Sequence, residues 1–151
     1  TFGTPPPWLQ TPFDERDAVF SPDGQYVVYQ SNESGRSEVY VRPAFGRGGK
    51  WQISGAGGEN PRWSRDGREI YYSEGHRLMA APVNTEGGAL RSGAAAELFR
   101  HPAFTERFRR WDAHPDGKRF LIAEDEQAEN RSDSIHVIQN WPALLREKAA
   151  P

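Results

Sequence analysis

Apolar residues along this chain come in short runs, not in a helical stripe. Tyr26-Val27-Val28-Tyr29, Ile70-Tyr71-Tyr72 and Phe120-Leu121-Ile122 each follow a polar turn. A second run comes next in each case: Glu38-Val39-Tyr40-Val41, Leu78-Met79-Ala80-Ala81 and Ile135-His136-Val137-Ile138. Runs of this length, rich in β-branched and aromatic residues and bounded by Gly, Pro, Asn and Asp, predict strands. No apolar period of 3.6 residues is sustained. Only 142–148, with Pro142 near its start, predicts a short helix.

The turns repeat as well. Phe20-Ser21-Pro22-Asp23-Gly24, Trp63-Ser64-Arg65-Asp66-Gly67 and Ala113-His114-Pro115-Asp116-Gly117 share one pattern, with their aspartates 43 and then 50 positions apart. Asp-Gly is a hairpin signal, because glycine supplies the positive φ that such turns need. A further strand precedes each turn by a polar connection: Trp8-Leu9-Gln10-Thr11, Trp51-Gln52-Ile53-Ser54 and Glu97-Leu98-Phe99-Arg100. Trp8 and Trp51 are again 43 residues apart. Four short strands in a period of about 45 residues are the signature of a β-propeller blade. The expected fold is therefore all-β: a single unit over 1–151, with repeats at 7–49, 50–95 and 96–141 and a tail at 142–151.

The phase of the repeat carries a further expectation. Each unit runs outer, inner, second, third strand, so segment 8–11 must pair with the third strand of a final blade to close a ring. Three blades are fewer than the four to eight of typical propellers. Two copies joined about a two-fold axis would give six, each lending its segment 8–11 to the other. The expected partner is thus a second copy of this chain. The competing expectation is half of a larger single-chain propeller.

Composition narrows the partners. Net charge is −2 with 26% charged residues, which excludes a bulk electrostatic pull toward nucleic acid. Arg107, Arg109 and Arg110 form only a short basic run, read as a solvated edge. Cysteine is absent, which excludes disulfides and thiolate metal sites. No apolar stretch approaches the length of a membrane span, and the start at Thr1 shows no signal-peptide pattern. A chain starting at Thr1 reads as processed or cut from a longer one. The compartment stays open.

Catalytic chemistry finds little support. A nucleophile elbow needs Gly-x-Ser-x-Gly on a strand-to-helix turn. Gly35-Arg36-Ser37-Glu38-Val39 lacks the second glycine and leads into a strand. His76, His101, His114 and His136 show no close ligand spacing, so no metal or other cofactor is expected. Glu124, Asp125, Glu126, Glu129 and Asp133 form an acidic loop without the glycine of a calcium site and read as solvated. Asp23, Asp66 and Asp116 read as turn residues accepting backbone N–H bonds.

Phe20-Ser21-Pro22-Asp23-Gly24 followed by Tyr-Val-Val-Tyr-Gln-Ser resembles the repeat of TolB-type propellers, a six-bladed bacterial family. The stretch from Ser31-Asn32-Glu33-Ser34-Gly35-Arg36 through Ser37-Glu38-Val39-Tyr40-Val41-Arg42-Pro43 is similar to propellers on the C-terminal side of bacterial serine/threonine protein kinases. Gly48-Gly49-Lys50-Trp51-Gln52-Ile53-Ser54, Pro61-Arg62-Trp63-Ser64-Arg65-Asp66-Gly67 and Asn140-Trp141-Pro142-Ala143-Leu144-Leu145 extend the match over nearly the whole chain after Pro7. The resemblance implies a sensor or scaffold module, usually periplasmic or otherwise outside the cytoplasm, and the final three blades of a six-bladed unit. The kinase motifs themselves are absent, so kinase activity is excluded for this chain.

In a propeller the inner strands would be 17–21, 60–64 and 110–114, their leading ends lining a central channel. Alignment on the Asp-Gly turns sets Asp17, Asn60 and Arg110 at one level and Val19, Arg62 and Asp112 two residues deeper, flanked by Arg16, Glu59 and Arg109. Polar residues that differ between blades at equivalent positions are the candidates for binding a peptide or small polar ligand. Ion pairs knitting neighbouring blades are the alternative role for the same residues. The functional expectation is a non-catalytic binding or assembly module. The alternatives are an excised half of a receptor-kinase sensor and the accessory propeller of a serine peptidase.

Overall fold

A computed structural model describes residues 7–46, 48–102, 104, 111–125 and 133–139. The first sheet has the order β1 (Glu15–Phe20), β2 (Tyr26–Ser31), β3 (Glu38–Pro43), β4 (Trp51–Gln52). The second is built from β5 (Glu59–Trp63), β6 (Glu69–Glu74), β7 (Arg77–Asn84), the two-residue β8 (Arg91–Ser92) and β9 (Ala96–Arg100). β7 is long enough to pair with β9 through Arg77–Ala80 and with β8 through Val83 and Asn84. The third sheet is β10 (Trp111–Ala113), β11 (Arg119–Asp125), β12 (Asp133–Gln139). All pairings are antiparallel, and one 3₁₀ turn at Glu86–Gly88 is the only helical element among the described residues.

The three Asp-Gly turns close by one mechanism. Gly24, Gly67 and Gly117 hold φ of 71°, 71° and 65°, and each donates its N–H to the carbonyl three residues back. The aspartate Oδ1 of each turn accepts the N–H two residues ahead, from Gln25, Arg68 and Lys118. In the first two turns the serine Oγ donates to that carboxylate and accepts the first N–H of the next strand. His114 stands in the serine's place in the third, its Nδ1 accepting the Asp116 N–H at 3.2 Å.

Why the strands alternate so little in polarity follows from where they sit. β6 is covered on both sides. Ile70 and Tyr72 enter a core with Tyr26, Val28, Val41, Met79 and Ala81 between the first and second sheets. Tyr71 enters a second core with Leu78, Phe99, Phe104, Trp111, Phe120 and Ile122 between the second and third. A strand buried on both faces reads as a continuous apolar run. Truncating a residue as enclosed as Ile70 to alanine costs about 2–5 kcal/mol in such cores.

Repeat and sheet are out of phase. β4, which opens the second repeat, pairs with β3 of the first, and β9, which opens the third, pairs with β7 of the second. The first sheet has the four strands expected. β8 adds a strand to the second sheet, and the third has three among the described residues. Segment 8–11, expected as a strand, is not one. A strand needs a neighbouring edge, and this segment lies against a sheet face instead. The Trp8 indole N–H donates to the Ala44 carbonyl at 2.8 Å, and its ring meets Tyr29 edge-on at 6.0 Å. The helix expected at 142–148 lies outside the described residues.

Candidate functional site

The leading ends of β1 and β5 share an irregularity. Pairing with the neighbouring strand slips by one residue between Arg16 and Val19, and again between Glu59 and Arg62. At the bulge Asp17 and Asn60 take φ of 53° and 52°, a conformation that non-glycine residues reach at a penalty, Asn and Asp least. The bulge re-aims the side chains around it.

Arg16 stays at the surface, where Nε and Nη2 grip the Asp14 carboxylate at 2.9 and 2.5 Å. That hydrogen bond and charge, followed by weaker attraction from Asp17 and Glu59, raise the Arg16 pKa above its ordinary value. Three acids therefore gather around one guanidinium. Asn60 turns inward and is 2% exposed. Its N–H donates to Gln30 Oε1 across the sheet boundary at 3.0 Å, and its Nδ2 donates to Ser73 Oγ at 3.4 Å. Its Oδ1 is buried without a hydrogen-bond partner. Arg62 lies over the Trp111 ring at 5.9 Å while Nη1 donates to the Pro61 carbonyl, so it bridges the second and third sheets. Asp112 is exposed and accepts the Ala113 N–H at 2.9 Å. Arg109, Arg110 and the loop 126–132 lie outside the described residues.

The structure thus brings Arg16, Asp17 and Glu59 into one electrostatic neighbourhood and sets Asn60 and Arg62 into the packing between sheets. It also reveals a buried acid that the strand pattern concealed. Glu38 is 1% exposed at the head of β3. Its Oε1 accepts Arg36 Nε at 2.6 Å and the Gly57 N–H at 3.1 Å, and its Oε2 accepts the Ser54 hydroxyl. Ser54 Oγ in turn accepts the Val39 N–H at 2.8 Å, and Arg36 Nη2 donates to the Gly55 carbonyl. This network pins the β2–β3 hairpin to the connection entering β5. Ser54 and the Gly57-Gly58 pair were the available signal, but the pairing of Ser54 and Gly57 with a residue 16 and 19 positions earlier has no local signature.

Above the network lies a cavity of about 220 Å³, bordered by Arg36, Ser37, Glu59, Ser73, Gly75 and Phe104. At the opposite end, a cleft of about 420 Å³ runs between the second and third Asp-Gly turns, with Asp66, Glu69, Tyr71 and Asp116 on its walls. There the Tyr71 hydroxyl donates to Glu69 Oε2 at 2.8 Å. Burial, that bond and nearby acids push the phenol's pKa up. The acids of this cleft are already engaged: Asp66 by Ser64 and the Arg68 N–H, Asp116 by the Lys118 N–H and Arg119.

No family model and no curated protein matches the chain. Solved structures do. TolB from Acinetobacter baumannii superposes with a TM-score of 0.61 at 19% identity, over 84% of this chain and 30% of that one. An oligogalacturonate lyase from Vibrio parahaemolyticus gives 0.48 at 17% identity, over 69% of this chain and 26% of that one. The chain spans less than a third of either protein. The first superposition, with the antiparallel sheets and near absence of helix among the described residues, establishes a TolB-like β-propeller fold.

Proposed function

We propose that this chain is a non-catalytic binding and assembly module whose three sheets are blades, and that two copies close a six-bladed ring with a polar channel mouth. The observation that carries this reading is the position of Trp8. Trp51 on β4 packs from the first sheet into the core that holds Tyr72. Trp8 and Tyr29 each precede those residues by 43 positions, and Trp8 lies against Tyr29. Segment 8–11 therefore rests on the first sheet where the outer strand of a preceding blade would rest.

A complementary surface exists at the other end. Leu121 and Val137 stand opposite each other in register and are 44% and 53% exposed, on the face turned away from the second sheet. Apolar residues paired on an open sheet face favour burial against a further layer. In the closed ring the partner's segment 8–11 pairs with β12, and this face packs on the partner's first blade.

The non-catalytic part rests on the sequence: Gly35-Arg36-Ser37-Glu38-Val39 lacks the second glycine of a nucleophile elbow and leads into a strand. The ligand in this reading is a peptide or small polar molecule at the channel mouth, held by Arg16, Asp17 and Glu59; Asn60, Arg62 and Asp112, with Arg109 and Arg110 from the sequence alignment, are the further candidates. The motif likeness to kinase-attached propellers adds a sensor role to the same module.

Light scattering tests the assembly. The expected mass is twice the 17.0 kDa of one chain, falling toward one copy when Thr11 is replaced by proline, which removes a ladder donor. A single-copy mass at every concentration overturns ring closure by a second copy and leaves completion by other blades.

A further inference from the structure

We propose that the cavity between the β2–β3 and β6–β7 hairpins binds a small zwitterion of the α-amino-acid type, its ammonium on Glu59 and its carboxylate on Arg36. The site shares Glu59 with the channel-mouth reading but needs no ring, since the described residues that border it belong to one chain.

The acid comes first. Glu59 is half-buried at the head of β5, and among the described residues its carboxylate accepts no hydrogen bond and forms no ion pair. Arg16 attracts it only from a distance, because that guanidinium is held by Asp14. A carboxylate partly withdrawn from water without a partner favours a cation with N–H donors. Ser73 stands beside it. Its hydroxyl donates to the Glu59 carbonyl at 3.1 Å and accepts from Asn60 Nδ2. A hydroxyl has one donor and two acceptor positions, so one lone pair remains for an ammonium. Phe104, 2% exposed, adds an aromatic wall of the kind that cations favour.

The base is half committed. Arg36 spends Nε on Glu38 and Nη2 on the Gly55 carbonyl, and its Nη1 makes no hydrogen bond among the described residues. Because Glu38 is bound from three sides, it fixes the guanidinium while leaving one donor nitrogen for a ligand carboxylate. A fixed donor loses little freedom on binding, which favours affinity.

Size and shape set the class. About 220 Å³ is below the roughly 300–1,000 Å³ of sites for drug-sized ligands, so the occupant has few heavy atoms. Gly57 and Gly75 line the space, and a Cβ built on either meets nothing within 4 Å. An acid, a guanidinium, two hydroxyls and an aromatic ring bordering one small space match an amino acid better than a simple anion or a neutral sugar.

The test is calorimetry and thermal melting of the full chain with glycine, L-leucine and L-phenylalanine. N-acetyl-L-leucine removes the ammonium and L-leucine amide removes the carboxylate. The expected result is single-site binding of at least one free amino acid, with each blocked form at least tenfold weaker. Glu59→Gln is expected to weaken binding at least tenfold at an unchanged melting temperature. Gly75→Asn, which suits the φ of 55° there, fills part of the space and weakens binding too. Absence of any heat or melting shift with all three amino acids overturns the proposal. Equal binding of either blocked form does so as well, and so does full affinity in Glu59→Gln. None of these outcomes changes the mass of the protein, so they leave the ring reading to its own test.

Discussion

Asp17 and Asn60 hold the same left-handed backbone, φ 53° and 52°, each six residues before the aspartate of its turn. One bulge thus serves two sheets, and the polar residue there answers first to backbone geometry. Left-handed φ penalises alanine by about 1–2 kcal/mol relative to glycine. Asn60→Gly should therefore unfold at higher urea than Asn60→Ala, although both lose the same bond to Ser73. Equal midpoints would mean that the side chain, not the backbone, dictates the residue.

Gly58 and Gly55 bracket one connection and should respond oppositely to alanine. A Cβ at Gly58 would come within 2.6 Å of Ser54 Oγ and 2.9 Å of Val39 Cγ2, inside the buried network. Gly58→Ala should cost about 1–3 kcal/mol, the range for overpacking. At Gly55 a Cβ meets nothing within 4 Å. Gly55→Ala should be neutral or stabilising by up to about 1 kcal/mol, through the unfolded chain. Chemical denaturation of the two variants checks the contrast.

Glu38 is the strongest single polar anchor. Glu38→Ala leaves Arg36 Nε, the Ser54 hydroxyl and the Gly57 N–H without their acceptor. The guanidinium left behind stays largely in water, so the cost is about 1–3 kcal/mol, the range for buried donors left without an acceptor. Arg36→Ala should cost less, since the Arg36 side chain is 58% exposed and Glu38 keeps two donors. A larger effect at Arg36 would place the anchor on the wrong residue.

Acid should weaken the fold through its turns. The Ser21 and Ser64 hydroxyls, then backbone N–H groups, hold Asp23 and Asp66 below the usual carboxylate range. The Lys118 N–H, with His114 and Arg119, holds Asp116 down to about 2. Depressed folded values mean that this stability is complete above the unfolded pKa of about 4 and lost as pH falls toward about 2. Urea midpoints should drop across that window, and Asn at all three positions should flatten the drop.

Alkali acts through the core. Burial pushes Tyr29 and Tyr72 up to about 12, so their neutral forms favour the fold. Their contribution is complete below the unfolded value of about 10 and fades as pH rises toward 12. Phenolate absorbance in the near ultraviolet should show these two rings ionising late or only with unfolding.

Most strands were legible because hairpins are local: an Asp-Gly turn and two apolar runs specify β1–β2–β3 and its repeats. The outer strands were legible from the Trp8 and Trp51 spacing, but whether such a segment pairs depends on a neighbouring edge. That is why β4 is a strand and segment 8–11 is not. β8 escaped notice because two residues carry no periodicity. The candidate residues Arg16, Asp17 and Glu59 were legible as unequal positions in equal repeats. Asn60's inward turn was not, since a bulge inverts the face that alternation assigns. Glu38 and the cavity above it depend on contacts between distant segments, which no window of sequence contains.

The offset between repeat and sheet has a consequence for how such a chain can grow. A duplicated stretch of one period carries an edge it cannot satisfy and leaves another for its neighbour to satisfy. Every copy added is therefore hydrogen-bonded to the one before it from the outset. Lengthening the array recruits obligate neighbours, and a cut at the repeat boundary always severs a ladder.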